Sequence, residues 1–156
     1  MKKIGLLVVA LFSLFLVTGC GEENKNIEGT LEEIMTNVYK DVPEEDRPMM
    51  LENMEVTVEN IEYYLGTSDI EYEEALASES GIGSIAHSVV LVRTKENADI
   101  ESIKTKIKEN VDPRKWICVG VEEKDIIVEN KGNLIILILV EDQTTRETLK
   151  KGFDNL

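Results

Sequence analysis

Residues Leu134–Val140 are apolar at every position. A strand sends alternate side chains to opposite faces, so such a strand needs cover on both faces or a central place in its sheet. Asn130, Lys131, Gly132 and Asn133 precede it and follow a shorter stretch, Ile126 to Glu129, apolar in its first three residues. The whole reads as two strands around a hairpin turn. Val89, Val90, Leu91 and Val92 mark a buried strand over 87–93. Ile70 and Tyr72 alternate with Glu71 and Glu73, which predicts a strand over 70–77, and residues 116–119 read as extended.

Helices are announced by their caps and stripes. Thr30 and Glu33 stand at capping-box spacing, and Leu31, Ile34, Met35, Val38 and Val42 recur at three- and four-residue steps before Pro43. Ile27 is placed to staple onto Ile34. A short helix follows Thr57, with Ile61, Tyr64 and Leu65 inward and Gly66 as its stop. Asp99 caps a helix over 100–110, with Glu101 near enough to support Lys104. The last helix spans 145–155, with Leu149 and Phe153 inward. The irregular order α-α-β-β-α-β-β-β-α predicts an α+β domain: a mostly antiparallel sheet of about five strands packed with helices as a two-layer sandwich.

The N-terminus carries an address. Lys2 and Lys3 lead an apolar run over 4–17, and Val17, Thr18 and Gly19 precede Cys20. A positive start, a short apolar core and small residues before a cut site read as an export signal. Cys20 then resembles the lipidated cysteine of a bacterial lipobox, which holds a protein durably once it carries two acyl chains. Residues 1–19 are thus read as a cleaved lipoprotein signal peptide, 20–29 as a tether from lipidated Cys20, and 30–156 as a single domain. The location this implies is the extracytoplasmic side of the cell membrane. Cys118 is then the remaining thiol, so no intramolecular disulfide is expected.

Charge is lopsided. Residues 22–79 hold 18 Asp and Glu against Lys25, Lys40 and Arg47, whereas residues 80–156 hold 13 acids and 12 bases. Such a field repels nucleic acid and favours a cationic partner, here an envelope protein or peptide. No basic stripe with interleaved aromatics supports nucleic-acid binding.

Chemistry-bearing motifs are sparse. Gly81, Gly83 and Ala86 fit a G-x-G-x-x-A pattern, but a β-branched strand follows where a dinucleotide site needs a helix, so a turn is expected and no cofactor. His87 is the single histidine, so a hydrolase or thiol-dependent enzyme has to use it with Cys118 or Ser84. Ser88 points to the opposite face from His87, and Cys118 lies among apolar residues, where a thiol is usually inert. Asp69, Glu71 and Glu73 imitate half a calcium loop, yet Glu74 and Ser80 occupy the positions of its glycine and bidentate acid. Weak calcium binding is the second alternative, and no resident metal is expected. Met49, Met50 and Met54 form a soft apolar cluster suited to varied partners. Trp116, beside Arg114 and Lys115, is either a recognition anchor stacked on Arg114 or a core-edge residue.

Cys20 in its lipobox, residues 112–118 and the strand-turn-strand around Asn130, Lys131 and Gly132 together resemble a family of small bacterial lipoproteins carrying a domain of unknown function. The resemblance spans roughly Thr30 to Phe153. It implies a lipid-anchored single domain and brings no catalytic or ligand-binding residues with it. The reading is a non-enzymatic binding or accessory lipoprotein whose contact residues are Met49, Met50, Met54 and Trp116.

Overall fold

The computed structural model describes residues 26–156. Residues 1–25, on which the expected signal peptide, Cys20 and the first part of the expected tether fall, lie outside the described residues. Five antiparallel strands form one sheet in the order β1-β2-β3-β5-β4. They are β1 (Leu51–Glu55), β2 (Tyr72–Ser80), β3 (His87–Thr94), β4 (Ile127–Lys131) and β5 (Leu134–Val140). Four helices accompany them: α1 (Leu31–Val38), α2 (Ile61–Leu65), α3 (Ile100–Asn110) and α4 (Gln143–Asp154).

The uniformly apolar β5 satisfies both of its requirements. It lies between β3 and β4, and it is covered on each side. Leu134, Ile136, Ile138 and Val140 enter a core with α1 and α4, while Ile135, Leu137 and Leu139 enter another with α2 and α3. A fully buried Leu or Ile side chain contributes about 1.5–3 kcal/mol, so this strand anchors both cores. The expected two-layer sandwich is thereby corrected to three layers, helices–sheet–helices. Both β3 and β5 are apolar on two faces, and one helical layer leaves half of that surface wet.

The caps form as the sequence implies. Thr30 N donates to Glu33 Oε2 at 3.1 Å and Glu33 N to Thr30 Oγ1 at 3.3 Å, while Ile27 packs against the α1 core. Asp99 accepts from Ser102 N at the start of α3. The last helix starts earlier than expected, at Gln143, because Asp142 caps it by accepting from Thr145 N. Gly152 lets α4 lie against α1, since a Cβ there would stand 2.3 Å from the Val38 carbonyl oxygen.

Two local expectations fail, and one strand was not expected at all. β2 begins later than the alternation suggested and runs on through Ser78, Glu79 and Ser80, which are buried polar residues. The methionine cluster is in part a strand: β1 pairs with β2 at the sheet edge, with four of its five residues exposed. Residues 116–119 are not a strand. Val121 N donates to the Pro113 carbonyl at 2.8 Å and closes the loop on itself. Trp116 and Val121 tuck inward, and Ile117 and Cys118 turn out to solvent.

Candidate binding groove

The sheet-edge strand, α2, the β2–β3 turn and the 113–118 loop enclose a groove of about 480 Å³. Strand alternation assigns its walls. Glu52 and Met54 face the groove, whereas Leu51 and Asn53 face the α1 side. Tyr63 and Tyr64 of α2 form a second wall, and Trp116 and Ile117 a third. The two tyrosine rings stand edge to face, 4.9 Å between centroids.

Beneath the aromatics lies a buried ion pair. Lys115 and Glu79 expose only 4% and 6% of their side chains, and Nζ sits 2.6 Å from Glu79 Oε2. Lys115 Nζ also donates to Ser88 Oγ at 3.2 Å, and the Tyr63 hydroxyl donates to Glu79 Oε1 at 2.6 Å. Both carboxylate oxygens are therefore bonded. The ammonium lies 4.2, 4.8 and 5.1 Å from the ring centroids of Tyr63, Tyr64 and Trp116, within cation–π range. Burial pushes the Lys115 ammonium down from its ordinary value, and the Glu79 charge opposes that shift. Burial and the Glu79 carboxylate push the Tyr63 phenol up, which keeps it a donor. Trp116 Nε1 is buried without a hydrogen-bond partner.

The predicted contact residues meet here. Met54 and Trp116 line the groove, and Met50 lies against Gly81 at its mouth. Met49 is tied to the same end, its carbonyl accepting from Ser80 Oγ at 2.9 Å. Of the six large exposed apolar residues, Met49, Met50, Met54, Tyr63 and Ile117 belong to this region, and Val58, which does not line the groove, is the exception. Trp116 stacks on Lys115 and not on Arg114, because Lys115 is the cation that turns inward to Glu79. Tyr63, Glu79 and Ser88 were missed. Their one signal was the polar stretch closing an apolar strand, which periodicity reads as its end.

The edge adds backbone groups. Gly81 N bonds to the Met50 carbonyl and Val56 N to the Ala75 carbonyl, so the even-numbered residues of β1 face β2. In an antiparallel ladder the odd-numbered ones then point away from the sheet. Of these, the Glu55 carbonyl is taken by Asn60 Nδ2 at 3.0 Å, while the groups of Leu51 and Asn53 face outward.

His87 lies on the other face. Its Nε2 is 2.7 Å from the Tyr39 hydroxyl of the turn after α1, and both rings are buried. Burial lowers the imidazole from 6.5 to about 4, opposed by the Glu79 charge. Cys118 belongs to the loop whose Trp116 and Val121 pack in the α2–α3 core, whereas Tyr39, the partner of His87, packs in the α1–α4 core. Cys118 is exposed at a φ of +63° and not the core thiol expected from its neighbours. Ser84 is exposed in the β2–β3 turn, and the glycine pattern there leads into a strand, as expected. Among the described residues no hydrogen bond joins His87 to Cys118 or Ser84, and the bond the imidazole makes is to Tyr39.

Asp69 pairs with Lys106 at 2.7 Å and Glu74 with Arg93 at 2.7 Å. Among the described residues no group of three or more His, Cys, Asp or Glu is arranged to hold a metal, and no helix is long and apolar enough to cross a membrane. Comparison with protein-family models, with curated proteins and with solved structures produced no match.

Proposed function

We propose that this chain is a lipid-anchored extracytoplasmic binding module that captures an extended, cationic and apolar segment of an envelope protein at the β1 edge. One observation carries the reading. The exposed methionines, Tyr63 and Ile117 converge on a groove that lies beside outward-pointing backbone groups. A strand added to β1 takes main-chain hydrogen bonds from Leu51 and Asn53 and sets alternate side chains into the groove. Charge selects the occupant: residues 48–92 contain no Lys or Arg, and Glu52, Glu55, Glu59 and Glu62 are exposed on or just after β1. Charge complementarity of this kind speeds encounter and excludes acidic partners.

Trp116 is the single tryptophan, so its fluorescence reports the groove directly. Titration with a peptide alternating Arg or Lys with Leu is expected to shift its emission saturably, and the shift is expected to weaken with salt. Met54→Lys is expected to abolish the response without changing the melting temperature, since Met54 is exposed. Equal responses to a Glu–Leu peptide would refute the assignment. The anchor is tested separately: Cys20→Ala is expected to release the protein from native membranes, and retention with unchanged mass would remove that part of the proposal.

A further inference from the structure

On the opposite side of β1 lies a second cavity, of about 410 Å³, between α1, Arg47 and the strands β1 and β2. Its floor is formed by Met35, Tyr39 and Ser78, all buried. Thr36, Asn37, Lys40, Arg47, Leu51 and Asn53 line the rest, and no acidic residue lines it. That is a local reversal of charge. Residues 22–79 hold 18 acids, yet Lys40 and Arg47, the two bases of that stretch within the described residues, meet in this one cavity.

Arg47 is held in place before any ligand arrives. Its Nε donates to the Val42 carbonyl at 3.2 Å and Nη2 to the Tyr39 carbonyl at 2.8 Å, with the guanidinium 5.9 Å from the Tyr39 ring centroid. These carbonyls carry no net charge, so the cation is fixed without being neutralised. Among the described residues, Arg47 Nη1, the Lys40 ammonium and the side-chain amides of Asn37 and Asn53 make no hydrogen bond or ion pair within the protein. Pre-ordered donors lower the entropic cost of binding.

We infer that this cavity is a binding site for a phosphate group, free or carried as an ester. Two unpaired cations match the charge of a phosphate dianion, and Arg and Lys together suit phosphate oxygens. The donors come from α1, the segment after it and β1, so they surround a ligand instead of meeting it in one plane. A tetrahedral oxyanion uses such a set more fully than a planar carboxylate. The volume accommodates a small phosphate ester whose apolar part rests on Met35 and Tyr39.

The test is NMR titration with inorganic phosphate, with glycerol phosphate and with phosphatidylglycerol vesicles, each against sodium chloride at matched ionic strength. Saturable shifts confined to the side-chain signals of Arg47, Asn37 and Asn53 are expected with at least one phosphate source. A response to either soluble phosphate identifies a small-molecule site, and a response to vesicles alone identifies a lipid headgroup. Lys40→Gln is expected to weaken binding about tenfold, and Asn53→Asp to abolish it. Both positions are exposed, so the melting temperature serves as the check that the fold is kept. Lys108→Gln, on exposed α3 surface, is expected to bind like the parent. No response to any source beyond that of chloride, or phosphate binding unchanged in both cavity variants, would overturn the inference.

Discussion

Ser78 and Glu79 are neighbours on β2, and His87 and Ser88 are neighbours on β3; each pair divides between the two faces of the sheet. On the α2–α3 face, Glu79 and its cross-strand partner Ser88 meet Lys115 in a charged cluster roofed by aromatic rings. On the α1–α4 face, His87 meets Tyr39 in a neutral one. The neutral pair behaves as part of a core: it satisfies two polar groups and lies beneath helix α1. The charged pair is different. Desolvating two ions offsets most of their attraction, and apolar residues of like volume often stabilise a fold as well or better. Its place is under the exposed groove, where it fixes Tyr63 through Glu79 and holds three rings around one ammonium. We read the neutral cluster as architecture and the charged one as the floor of a binding site.

The contrast is sharpest in what breaking each cluster does. Glu79→Ala leaves a buried ammonium unpaired and is expected to cost about 3–5 kcal/mol in urea denaturation. The double variant Glu79→Leu with Lys115→Met is expected to recover most of that loss and still lose the groove's fluorescence response. A double variant that kept the response would place the ion pair outside the site. The neutral cluster responds to pH instead. Unfolded His87 titrates near 6.5 and folded His87 near 4, so the unfolded state takes up the proton first. Its contribution is therefore present above pH 6.5, declines as pH falls and is gone below about pH 4, a loss of about 3 kcal/mol. His87→Leu is expected to flatten that part of the stability–pH curve. Tyr39→Phe removes one buried hydrogen bond and leaves the imidazole nitrogen unpaired, a loss of about 1–3 kcal/mol with no effect on the groove. The smallest effect belongs to the loop: Cys118→Gly relieves a positive φ and is expected to gain about 0.5 kcal/mol.

Much of the scaffold was legible, because repetitive elements follow from period and caps. β5 announced its central position by having no polar residue, α3 was bounded by Asp99, and Gly66 ended α2 at a φ of +73°. The layer count was missed because a stripe shows that a helix packs, and not on which face of the sheet. β1 was missed because an edge strand with Glu52, Asn53 and Glu55 has no alternation to read. Met54 and Trp116 were singled out one by one from their chemistry. Their meeting in one groove depends on tertiary contacts, as does the inward turn of Lys115, whose partner Glu79 lies 36 positions away.

The proposed function requires β1 to act as an open edge that accepts a cationic strand beside the groove. Amide hydrogen exchange read by NMR, with and without the alternating Arg–Leu peptide, addresses this most directly. The outward-pointing amides of Leu51, Asn53 and Glu55 are expected to gain protection together, while the amides of β4 at the far edge stay unchanged. Full fluorescence saturation with no protection at those three amides would contradict strand addition.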